Sequence, residues 1–122
     1  LKSYPDLKVI VSPSSVGIVA AAQAVKDQGK IGKVYVTGLG LPSEMAGAIK
    51  SGASKSFAIW NPIDLGYAAT YLADDLVKGT ATKTEASMGK LGKVKLDAEG
   101  NGAMAKPFVY DASNIDKFSK IF

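Results

Sequence analysis

LKVIVSPSSVGIVAAAQAVKDQG, residues 7–29, contains a complete strand-to-helix unit. Leu7–Val11 is a short, continuous, β-branched apolar run, the pattern of a strand buried on both faces in a parallel sheet. It ends at Ser12-Pro13-Ser14-Ser15, which suits a helix start: serine hydroxyls accept free N–H groups, and Pro13 fits a first helical turn. Val16–Gln28 then reads as the helix, with Ile18, Ala21, Ala22 and Val25 at three- and four-residue spacing. Gly29 stops it in the C′ position that glycine favours.

The same event recurs twice. A strand at Lys33–Thr37 runs into Gly38-Leu39-Gly40-Leu41-Pro42, and a helix opened by Pro42 continues through Glu44, Met45 and Ile49 to Gly52. A strand at Ser56–Trp60 is followed by Asn61 as N-cap, Pro62 at the first helical position, and a helix through Lys78 that ends at Gly79. In that helix Leu65, Ala69, Leu72 and Leu76 form one apolar stripe, with Asp74 and Asp75 on the wet side. Three successive strand–helix units predict an α/β fold, a parallel sheet with right-handed crossovers and flanking helices. Such sheets hold their ligands along the rim formed by the carboxyl ends of the strands.

Outside these units the texture changes. Leu1–Asp6 reads as a helix end and a turn at Pro5-Asp6. Thr80–Gly92 reads as an irregular polar connection, Lys93–Leu96 alternates polar and apolar residues, and Glu99-Gly100-Asn101-Gly102 is a turn signal. Ala103–Tyr110 is expected to return as a strand with Pro107 at an edge. Ser113 and Asp116 resemble a capping box for a short helix through Phe118 and Phe122. One domain over 1–122 is expected, with three strand–helix units in 1–79, and the connection, hairpin-like return and last helix in 80–122.

Composition removes several functions. The chain has 122 residues, 47% of them hydrophobic, no cysteine and no histidine. A thiol nucleophile, a cysteine/histidine zinc cluster and a histidine general base are therefore excluded. The net charge of +4 comes from scattered lysines rather than a basic stripe with stacking aromatics, so no nucleic-acid partner is expected. Gly38-Leu39-Gly40 lies between a strand and a helix, but Ser43 stands where a dinucleotide fingerprint needs its third glycine, and no Gly-Lys-Ser/Thr exists. No Gly-x-Ser-x-Gly elbow surrounds Ser14 or Ser15. Neither enzyme activity nor a cofactor is expected.

The candidate ligand-binding residues are those of the three junctions: Pro13, Ser14, Ser15, Gly38, Gly40, Trp60 and Asn61. Ser14 and Ser15 either cap the helix or face a ligand hydroxyl, and the glycines bring backbone close to whatever lies above them. Trp60, the only tryptophan, offers a flat apolar face to a sugar ring or packs as a core aromatic. Asn61 offers a donor and an acceptor, or caps its helix.

Three stretches together resemble a known family: LKVIVSPSSVGIVAAAQA at 7–24, VYVTGLGLPSEM at 34–45 and FAIWNPIDLGYAATYLADDLVKG at 57–79. They resemble the C-terminal lobe of type I periplasmic sugar-binding proteins, the solute receptors of bacterial ABC importers. Trp60-Asn61-Pro62 and the ending KPFVYDASNIDKF look most like the rhamnose-binding branch, with the autoinducer-2 receptors close by. The resemblance implies a three-layer lobe of a two-lobed receptor, a monosaccharide ligand, a membrane permease as partner and a periplasmic location. It also implies that further strand–helix units precede Leu1, and that the lobe by itself leaves a sheet edge open to self-association. By the same resemblance Pro13 and Ser15 contact ligand. Gly40 stands where ribose-type receptors carry an aspartate, which favours the rhamnose and autoinducer-2 side. The effector domain of a LacI-type regulator shares this fold and is the alternative. A nucleotide-using Rossmann-like domain is a more distant rival, requiring phosphate binding at Gly38–Ser43.

Overall fold

The computed structural model describes residues 1–122, which form two compact units. One comprises Leu1–Ile59 with Phe108–Phe122, and the other is Trp60–Pro107. The boundaries thus fall at 59/60 and 107/108, not at residue 79, where the texture of the sequence changes. No helix is long and apolar enough to cross a membrane.

In the first unit β1 (Val9–Ser12) pairs in parallel with β2 (Tyr35–Gly38), in the register Val9↔Tyr35 to Ser12↔Gly38. A helix, α1 (Ser15–Asp27), links them and packs on both. α2 (Pro42–Ser51) leads from β2 to β3 (Ser56–Ile59). A parallel bridge Leu39↔Ala58 and a hydrogen bond from the Thr37 hydroxyl to the Ser56 carbonyl, 2.8 Å, tie β2 to β3. The returning strand is β6 (Phe108–Asp111), which pairs antiparallel with β3 and starts just after Pro107. The α/β class and the parallel β1–β2 pair are as expected, and the sheet gains an antiparallel margin.

The core of this unit is Ile18 and Val25 from α1, Val36 from β2, Met45 from α2, Phe57 from β3, Tyr110 from β6 and Ile115. Ile115 opens α4 (Ile115–Phe118), which packs against α2. β1 is not buried on both faces: Val9 is 48% and Val11 70% exposed. Within the unit only α1 packs on this strand, and it covers one face. No helix ends at Leu1–Asp6; the chain turns there with the Leu7 N–H on the Tyr4 carbonyl. The expected capping box is absent as well. Ser113 donates its hydroxyl back to Asp111 instead, and Asn114 precedes α4 without a side-chain cap.

The second unit is α3 (Pro62–Lys78), β4 (Glu85–Ser87), a 3₁₀ turn at Gly89–Leu91 and β5 (Lys93–Lys95). β4 and β5 pair antiparallel, so the stretch read as an irregular connection contains a strand. Its small core is Ala68, Ala86, Met88 and Val94. The apolar stripe of α3 is rotated from the expected one. Ala68 and Leu72 face the core, whereas Leu65 and Leu76 are 52% and 64% exposed.

Asp75 does not lie on the wet side. Its carboxylate accepts the Ser87 backbone N–H at 2.6 Å and the Thr80 hydroxyl at 2.8 Å, which anchors β4 to the end of α3. The Ser87 N–H first, and the Thr80 hydroxyl second, hold this carboxyl below the usual aspartate range. A depressed native pKa gives stability that is present above the unfolded value and lost as pH falls through the native one. Asp75→Asn is therefore expected to weaken protection of the Ser87 amide in hydrogen exchange at neutral pH. The wild-type protein should lose the same protection only in acid.

Candidate functional site

In the first unit two expected junctions come together where β1 and β2 end. Ser14 is the N-cap of α1, with extended backbone and its Oγ accepting the Gly17 N–H at 3.4 Å. Pro13 precedes the cap and so lies outside the helix, not in its first turn. Its role is to stiffen the exit from β1, where the buried Ser12 turns its hydroxyl onto the Ser14 carbonyl at 3.1 Å. Pro13 and Ser14 are exposed and Ser15 is half-buried. The capping hydroxyl belongs to Ser14, and that of Ser15 has no partner within the protein.

The glycines of the second junction answer to the fold. Gly38 has φ +135°, and a Cβ there would land on the Ser12 carbonyl, the same carbonyl that accepts the Leu39 N–H at 2.9 Å. A Cβ at Gly40 would meet Met45, Ile18 and Phe57 at 3.0–3.4 Å. Both positions are therefore closed by protein on the side-chain side. The start of α2 is also occupied, because the Ser43 N–H donates to the Phe122 carbonyl at 3.1 Å. That leaves fewer free donors for a phosphate, in keeping with the missing nucleotide motifs.

In the second unit Trp60 is half-buried, and its indole N–H donates to the Ala105 carbonyl at 2.6 Å. Asn61 caps α3: its Oδ1 accepts the Ile63 N–H at 3.0 Å and its Nδ2 donates to Asp64 at 2.9 Å. The indole face and the second amide hydrogen are what remain for a ligand. Beside Trp60 lies a cavity of about 340 Å³ lined by Leu65, Gly102, Ala103, Met104 and Ala105. A smaller apolar slot of about 140 Å³ shares Leu65, Gly102 and Met104 with it. Leu65 and Met104 were missed by sequence reasoning. The only signal for the second wall is the small-residue run Gly102–Ala105, some forty residues after the tryptophan it meets.

Pro13, Ser14, Ser15, Gly38 and Gly40 thus share one unit, and Trp60 and Asn61 belong to the other. None of the seven carries an ionisable side chain. Such a set offers hydroxyl, amide, backbone and aromatic contacts, chemistry for a neutral polar molecule and not for an ion pair.

Comparison with known proteins places this geometry. Residues 1–81 match the model of a periplasmic binding protein domain. The chain is similar to a sugar ABC transporter from Actinomyces odontolyticus, with 39% identity over 97% of this chain and 39% of that one, TM-score 0.76. It is also similar to an ABC transporter solute-binding protein from Clostridium phytofermentas with bound L-rhamnose. There the identity is 37% over 100% of this chain and 43% of that one, with TM-score 0.83. LsrB from Clostridium saccharobutylicum in complex with AI-2 shares the fold at 18% identity, over 97% of this chain and 41% of that one, TM-score 0.79. The chain therefore spans about two fifths of the length of these solved structures. With its match covering residues 1–81, the chain belongs to the periplasmic binding protein domain family.

Proposed function

We propose that the full-length protein carrying this sequence is the solute-binding component of an ABC importer. It binds L-rhamnose or a similar deoxy sugar outside the cytoplasmic membrane and delivers it to a membrane permease. What carries this reading is the 37% identity, across the whole chain, to a solute-binding protein with L-rhamnose bound. The chemistry of the candidate residues agrees with it. Ser15 has a free hydroxyl, Asn61 keeps one amide hydrogen, and the Trp60 face suits the apolar face of a sugar ring. The absence of an ionisable group among them suits an uncharged ligand. No covalent step is involved, so the role is binding and release and not catalysis. β1 is hydrogen-bonded on one side only, to β2, and its exposed Val9 and Val11 support self-association when the 122-residue chain stands alone.

The test is titration of the full-length protein with L-rhamnose, ribose and autoinducer-2, followed by tryptophan fluorescence and calorimetry. A saturable response to L-rhamnose is expected. Trp60→Ala is expected to weaken it at least about tenfold, equivalent to about 1.4 kcal/mol. No saturable binding of any of the three overturns the sugar-receptor reading.

A further inference from the structure

The cavity beside Trp60 has a composition that bears on which sugars are accepted. Its lining is Trp60, Leu65, Gly102, Ala103, Met104 and Ala105, and no side chain among them holds a free hydrogen-bonding group stronger than a thioether. The one strong side-chain donor, the indole N–H, is already bound to the Ala105 carbonyl at 2.6 Å. That bond also joins the two walls, tying the tryptophan to the run 102–105. Leu65 lies one turn into α3 and is half exposed in a helix whose core face is formed by Ala68 and Leu72. It is thus not needed to fill the core of its unit, and neither is the partly exposed Met104 beside it.

We infer that this cavity is a selectivity pocket for the C6 methyl group of a 6-deoxy sugar, with Leu65 and Met104 as its specificity-determining side chains. The inference rests on the sugar-receptor reading and adds to it the part of the ligand that is recognised. A methyl group entering this lining leaves water for apolar surface, which is favourable. A hydroxymethyl group in the same place loses its water and finds no side-chain partner. The pocket therefore discriminates both ways. It favours the deoxy sugar over the pentose that lacks the carbon, and over the hexose that carries a hydroxyl there.

Three sugars of one stereochemical series isolate the effect: L-rhamnose, L-mannose with a C6 hydroxyl, and L-lyxose without C6. Each is titrated calorimetrically into the full-length protein. L-rhamnose is expected to bind at least about tenfold more tightly than either analogue, the usual scale for one buried carbon in a closed pocket. Leu65→Ser and Met104→Ser are each expected to weaken L-rhamnose while leaving L-lyxose within about twofold of the wild type, and Leu65→Met to restore the preference. Equal binding of L-rhamnose and L-lyxose by the wild type overturns the pocket while leaving the receptor standing. So does an equal loss of both sugars in the serine variants. Failure of all three sugars to bind overturns the receptor reading and the pocket with it.

Discussion

Gly38→Ala is expected to destabilise the first unit by about 4 kcal/mol, a large share of the stability of a small domain. Two independent effects act at this residue. Its φ of +135° lies in a region that residues with a Cβ avoid, and the added methyl would sit on the Ser12 carbonyl oxygen. Neither can relax locally. Ser12 and Gly38 are register partners in the β1–β2 pair, and the Ser12 carbonyl holds the Leu39 N–H at 2.9 Å. Moving them apart breaks the pairing at the end of both strands, where α1 and α2 begin. Two other glycines provide the contrast. Gly17→Ala brings a Cβ to 2.5 Å from a rotatable serine hydroxyl, and Gly47→Ala in exposed α2 meets nothing within 4 Å. The second of these is expected to stabilise by about 0.5–1 kcal/mol through helix propensity. Urea unfolding of the three variants checks the order, and a Gly38→Ala protein as stable as the wild type would refute it.

The same junction shows what local reading can and cannot recover. The strand–turn–helix recurrences at Ser12–Ser15, Gly38–Pro42 and Trp60–Pro62 were legible because capping, proline at N1 and glycine at C′ are local chemistry. Ser14, Asn61, Pro42, Pro62, Gly29 and Gly79 act within a turn of their own position. Burial was less legible, because periodicity finds an apolar stripe and leaves open which part of it meets a neighbour. The rotated face of α3 and the exposed valines of β1 are both of that kind. β4 escaped notice because three residues, Glu85–Ser87, are too short to show alternation. Their position depends on Asp75, twelve residues before Ser87. At the candidate site, residues next to a junction could be named, and the Trp60–Ala105 bond, closed over 45 residues, could not. The division at 59/60 and 107/108 is likewise a matter of which distant residues pack together, on which composition is silent.

Tyr110→Ala is expected to cost about 3–5 kcal/mol, the range for removing a buried aromatic ring. The residue is 2% exposed and is the centre of an aromatic cluster. Its ring stacks on Phe57 at 5.3 Å, directly across the β3–β6 pair, and lies 5.0 Å from Phe108. Phe118 and Phe122 meet it edge-on at 5.3 and 6.4 Å. Those two rings belong to the end of the chain, whose last carbonyl holds the Ser43 N–H at the start of α2. Truncation of Tyr110 therefore loosens the C-terminal segment as well as the sheet, and carboxypeptidase sensitivity should rise together with the loss in urea midpoint. Tyr110→Phe separates ring from hydroxyl. The hydroxyl makes no hydrogen bond within the protein, so this variant should stay within about 1 kcal/mol of the wild type at neutral pH. The two proteins should part in alkali. Burial pushes the Tyr110 hydroxyl above its ordinary pKa, so the native state favours the neutral form. That contribution is complete below the ordinary tyrosine value and is lost as pH rises through it toward the native one. Wild type should accordingly lose more stability than Tyr110→Phe between pH 8 and pH 11, and parallel losses in the two proteins would remove the buried hydroxyl from the account.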